Sequence, residues 1–192
     1  LLMCILNREY DGDDTVFTDE ERLELAIVGN CVYKHKKLRV NYTTYDMQRE
    51  QDSLNPRTHA NIMTLSLDEK HPYWYARILG IYHVVVLHPT LTEPVTIDFL
   101  HIRWYALHQF KGHSPGWRKR RLFQLGFVPH VVDDELGISR AFGFLDPARV
   151  ITGAHIIPGF AYGTTKDLLP ISELSRHPNE QDEDWVVYYV TM

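Results

Sequence analysis

Alternation of apolar and polar side chains dominates the middle of this chain. Along Val95–Leu107, Ile97, Phe99 and His101 fall on one face and Asp98, Leu100 and Ile102 on the other. That is the period of two expected of a half-buried strand. Tyr73–Leu87 is the longest β-like segment, and Gly80 within it marks a candidate bulge or bend. Residues 31–33 and 38–45 flank the basic turn Lys34-His35-Lys36-Lys37 and read as a hairpin. Residues 46–57 are polar and end in Asn55-Pro56, which predicts a loop. Short apolar runs at 62–67, 142–145, 150–157 and 185–190 predict further strands. Residues 111–129 read as loop, 133–137 as a polar insertion, and 166–184 as a polar connector with the composition of a partly disordered segment.

Helical signals are confined to the start. Thr18 lies three residues before Glu21, the capping-box spacing, and apolar Leu23, Leu25, Ala26 and Ile27 follow before Gly29-Asn30 supplies a stop. One short helix over about 18–28 is expected. The pattern divides the chain into an N-terminal extension, 1–30, and a β-rich domain, 31–192, and predicts a mainly β fold, a small barrel or sandwich with long loops.

Composition adds to this picture in two places. Aromatic residues make up 12% of the 192 residues, a supply that suits pleated, half-buried surfaces. Charge is also unevenly placed. Residues 1–24 hold eight acids against two bases and residues 173–192 five acids against one, so the body carries a basic excess within a chain of net charge −5. A basic body permits a polyanionic partner, while acidic ends serve equally well as solvated tails. No apolar run reaches the roughly 18 residues of a membrane helix, so no membrane partner is expected. Cys4 and Cys31 form neither a disulfide framework nor a zinc-site spacing, which points to a reducing, intracellular setting.

Catalytic motifs are missing from the pattern. There is no phosphate-cradling glycine loop, nucleophile elbow or helical pair of metal-binding histidines. The eleven histidines are scattered without motif spacing, so neither a metal nor another cofactor is expected, and no small-molecule substrate is evident. Two basic clusters do stand out. Lys34, Lys36, Lys37 and Arg39 form one; Lys111 with Trp117, Arg118, Lys119, Arg120 and Arg121 forms the other, in a stretch from 99 to 132 that holds no acid. Bases beside an aromatic ring suit phosphate contacts and stacking on a nucleobase. Tyr73, Tyr75 and Trp104 are candidates for a methyl-lysine peptide cage, although alternation splits the aromatic residues of 73–75 between two faces.

The strings LRVNYTTYDMQREQDSLNPRTHANIMTLS, HPYWYARILGIYHVVV, DFLHIRWY, FGFLDPARVITGAHIIPGFAYG and DLLP, in that order, resemble a region of fungal Plavaka-type and KDZ-like DNA transposon proteins, C-terminal to the transposase core. The likeness runs from about residue 17 to the end. It implies a nuclear, transposase-like polypeptide whose remainder is a partner of this region, and it assigns no catalytic residue here. A looser resemblance, over about 38–160, is to bromo-adjacent homology (BAH) domains, carried by YWYARILGIYH, DFLHIRWYAL and FLDPARVITGAHII. It implies a distorted SH3-like, BAH-like β-barrel that binds chromatin, and it departs from that pattern in the insertion 106–135. Together these readings give a non-enzymatic accessory domain for DNA or chromatin. The alternatives are a histone-peptide reader and a scaffold for the transposase core.

Overall fold

The computed structural model describes residues 17–43, 47–66, 71–107, 123–130, 140–169 and 183–191. Within them the fold is mainly β, with one short α-helix, as the alternation predicts. The helix, α1 (Asp19–Leu23), is a single turn with the expected capping box: Thr18 Oγ1 accepts from the Glu21 amide at 3.2 Å, and Glu21 Oε2 accepts from the Thr18 amide at 3.0 Å. It stops well short of residue 28. From Ala26 the chain is a strand, β1 (Ala26–His35), paired antiparallel with residues 81–87 of a later strand. A helix over 18–28 would still be too short to be stable on its own, whereas as a strand Ile27 and Val32 pair with Val86 and Val84. Gly29 and Asn30, expected to end a helix, instead adopt φ of +67° and +51° inside β1. They form a bulge that sets residues 28–31 against Val85 alone.

The predicted hairpin across Lys34–Lys37 is replaced by a crossing between sheets. β1 ends at His35, and β2 (Leu38–Thr43) pairs with β3 (Arg49–Leu54), a strand where a loop was expected. This two-stranded sheet contributes Val40 and Leu54 to the core. The polar residues of β3 that misled the pattern are its exposed positions. Asp52, the exception, is anchored: its Oδ2 accepts from Thr152 Oγ1 at 2.5 Å and from the Gly153 amide at 2.7 Å.

The central unit is the hairpin of β5 (Tyr73–Leu87) and β6 (Val95–Leu107). Gly80 lies at its one irregularity: Ile78 pairs with Ile102 and Gly80 with His101, leaving Leu79 as the extra residue. β4 (Asn61–Leu65) and β1 lie end to end along one flank of β5, while β7 (Phe123–Phe127) and β8 (Phe142–Leu145) share the far flank of β6. β9 (Val150–Gly153) pairs with β4, and β10 (His155–Pro158) with β13 (Tyr188–Thr191), which in turn pairs with β7. The nine-stranded sheet therefore runs β10-β13-β7-β6-β5-β4-β9, with β1 and β8 off the path. Its two ends are consecutive in the chain, joined through Ala154 and not by a ladder, so the sheet is no closed barrel. β11 (Thr164–Thr165) and β12 (Asp184–Trp185) make a small separate pair.

Each face of the hairpin has its own core. One holds Ile62, Ala76, Ile78, Ile81, Leu100 and Ile102 beneath the β2–β3 sheet. The opposite face holds Tyr75, Tyr105, Leu125, Phe127, Tyr188 and Val190. There Arg103 and Asp184 form a buried two-pronged ion pair, Nη1–Oδ1 at 3.0 Å and Nη2–Oδ2 at 2.8 Å, with the guanidinium 3.8 Å above the Phe127 ring. Burial in this cluster pushes the Tyr75, Tyr105 and Tyr188 hydroxyls above their ordinary pKa.

Candidate nucleic-acid interface

Strand register assembles an aromatic row beside the first basic cluster. Lys34 pairs with Tyr82 across β1 and β5, and Tyr82 with Phe99 across β5 and β6, so the three share a face. His101, two residues beyond Phe99, shares that face and pairs with Phe144 of β8. The rings touch in sequence. Tyr82 stacks on Phe99 at 5.5 Å, Phe144 meets Phe99 edge-on at 5.6 Å, and His101 lies 5.5 Å from Phe144. Phe144 is 74% exposed, an unusual position for a phenylalanine. Burial lowers the His101 pKa below its usual value, which keeps its imidazole neutral and suited to ring contacts.

Gly80 positions this row. A Cβ built there would collide with the ring of Tyr82, so the bulge glycine leaves bare backbone on which that ring lies. The alternation of Phe99 and His101 was visible in sequence. Their alliance with Tyr82 and Phe144 was not, because it needs the register of three strand pairs.

Of the first basic cluster, strand register places Lys34 on the face of the row, while Arg39 belongs to the sheet that covers the other face. Lys34, Lys36, Lys37 and Arg39 are all exposed. Among the described residues none of the four takes part in an ion pair. Lys36 and Lys37 form the crossing from β1 to β2, and Arg39 lies on the outer side of β2, opposite buried Val40. The second cluster, Lys111, Trp117, Arg118, Lys119, Arg120 and Arg121, lies outside the described residues.

Tyr73, Tyr75 and Trp104 do not meet in one pocket. Tyr75 is 1% exposed and belongs to the core with Tyr105, and Tyr73 packs against the same cluster. Trp104 pairs with Ala76, on the opposite face, where it meets Trp74 edge-on at 5.8 Å. The odd-even split of 73–75 predicted this separation for Trp74; the cross-strand register extends it to Trp104.

On the face away from the row, strand pairing also brings together His35, His83 and Asp98, whose spacing in sequence carried no signal. His83 is directly opposite Asp98, and Tyr33, opposite His83 on the other side, stacks on its ring at 4.7 Å. His35, at the end of β1, places its Nε2 2.5 Å from His83 Nδ1. The chain matches no protein-family model, no curated protein and no solved structure.

Proposed function

We propose that this chain is a non-catalytic nucleic-acid-binding accessory domain of a transposon-encoded, nuclear protein, on a sheet related to the SH3-like barrel of BAH domains. The observation that supports it most is the row Lys34, Tyr82, Phe99, His101 and Phe144, with Lys36 and Lys37 following Lys34 in the chain, bases that pair with no described carboxylate. Aromatic faces take successive bases by stacking, while the flanking cations take the phosphates. That combination favours single-stranded over duplex nucleic acid, because duplex bases are already stacked. The barrel reading is supported by the single run 150–158, which supplies both outer strands of the sheet. A histone-peptide cage from Tyr73, Tyr75 and Trp104 has less support, since Tyr75 is buried and Trp104 faces the other way.

The test is fluorescence anisotropy with a labelled single-stranded oligonucleotide at several salt concentrations. Each phosphate contact contributes about −0.7 to the slope of log K against log salt on single strands. Three bases, Lys34, Lys36 and Lys37, predict a slope of about −2, and K34Q/K36Q/K37Q abolishes most of it. Phe144→Ala weakens binding by roughly 5- to 150-fold, the equivalent of about 1–3 kcal/mol for one stacked base. No binding at low salt, or binding that ignores both changes, would leave a scaffold as the better description.

A further inference from the structure

We infer that His35, His83 and Asp98 form a binding site for a late first-row divalent metal ion, zinc being the natural probe. One ligand atom from each residue lies within 4.8 Å of the other two, the only such group of three among the described residues. The three come from adjacent strands, β1, β5 and β6, so the register that builds the sheet also fixes their convergence. The two imidazole nitrogens share a hydrogen bond at 2.5 Å, and a metal ion would take the place of the shared proton. Nitrogens sharing a zinc ion at about 2.0–2.1 Å sit roughly 3.3 Å apart on a tetrahedron. The rings need to part by less than about 1 Å, and His35 is free to give way because it is exposed at a strand end. Tyr33 holds the His83 ring plane from behind, at 4.7 Å and 11°.

The donor set selects the ion class. Two imidazoles favour zinc, nickel, copper or cobalt over magnesium or calcium, which prefer all-oxygen sites. Three protein ligands leave a fourth tetrahedral position to solvent, as in zinc sites that are not purely structural. Lys36 and Lys37 oppose a cation, but they are exposed and screened, whereas Asp98 supplies a full negative charge at the site. The site lies on the opposite face from the aromatic row and does not rest on the nucleic-acid reading.

Titration of zinc into the purified chain by calorimetry, without nucleic acid, tests the proposal, with cobalt absorption as a second readout. The expected result is one tight ion per chain, a tetrahedral cobalt spectrum, and at least tenfold weaker binding in both His35→Gln and His83→Gln. Magnesium should not compete. Absence of saturable binding, or full affinity in His35→Gln, would overturn the site. Should His83→Gln fail to fold, His35→Gln decides alone, because His35 is exposed and its described side-chain contacts are confined to His83.

Discussion

Replacing Asp184 with alanine removes the carboxylate that meets Arg103 in the sheet interior. The two side chains are only 3% and 2% exposed, so the guanidinium left behind has no water to replace its partner. Stranding one member of a buried pair costs about 3–5 kcal/mol. Whole domains are stable by only about 5–15 kcal/mol, so this one change removes a large part of the total. Phe127 beneath the guanidinium softens the loss by a cation–π contact but does not supply an anion. Urea denaturation followed by tryptophan fluorescence is the assay. With a slope near 2 kcal/mol per molar, the midpoint should fall by about 2 M. An apolar double replacement, R103M/D184L, should recover most of that loss, since well-packed apolar side chains replace buried ion pairs at little cost. A midpoint within 0.5 M (roughly 1 kcal/mol at this slope) of the parent for D184A would refute the stranded-charge argument. Equal losses in the single and double variants would assign the effect to packing.

Three further outcomes follow from the same geometry. Asp52→Ala should cost about 1–3 kcal/mol, because the Gly153 amide and Thr152 hydroxyl lose their shared acceptor; amide exchange in residues 38–43 should quicken at the same time. Gly80→Ala should displace Tyr82 from Phe99 and weaken oligonucleotide binding at least as much as Phe144→Ala, with far-ultraviolet dichroism unchanged; undiminished affinity would dissociate the row from binding. His101 is harder to protonate in the folded chain than in the unfolded one, whose reference value is 6.5. The unfolded state therefore takes up more protons as pH falls below that value, and stability declines until the lower folded pKa is passed. His101→Gln should flatten that part of the pH–stability profile measured by thermal melting.

Much of the fold was legible because alternation is a local signal. Val95–Leu107, the bulge at Gly80 and the capping box at Thr18 all follow from neighbours within a few residues. Failures arose where a distant partner decided the outcome. Ala26 to Val28 carry apolar spacing that suits a helix, yet β5 offered a ladder of backbone partners and a place for Ile27 against Val84 and Val86. β3 reads as a loop since nearly all its side chains face solvent, and only Leu54 is fully buried. The interface residues divide along the same line. Lys34 to Arg39 are adjacent in sequence and were found as a charge cluster. Tyr82, Phe99 and Phe144 become neighbours only through ladders, as do His83 and Asp98, the one pair 15 residues apart on a hairpin.

Residues 150–158 hydrogen-bond to β4 before Ala154 and to β13 after it, and the Ala154 amide itself donates to Asn61 at 2.9 Å. The β9 and β10 margins are one continuous strap, so neither can fray alone, in contrast to β1 and β8, each paired on a single flank. The strap's opening is a shared event: protection of Ile62 and of Val190 against solvent exchange should rise and fall together, and a single cut at 154 would unfasten both flanks at once.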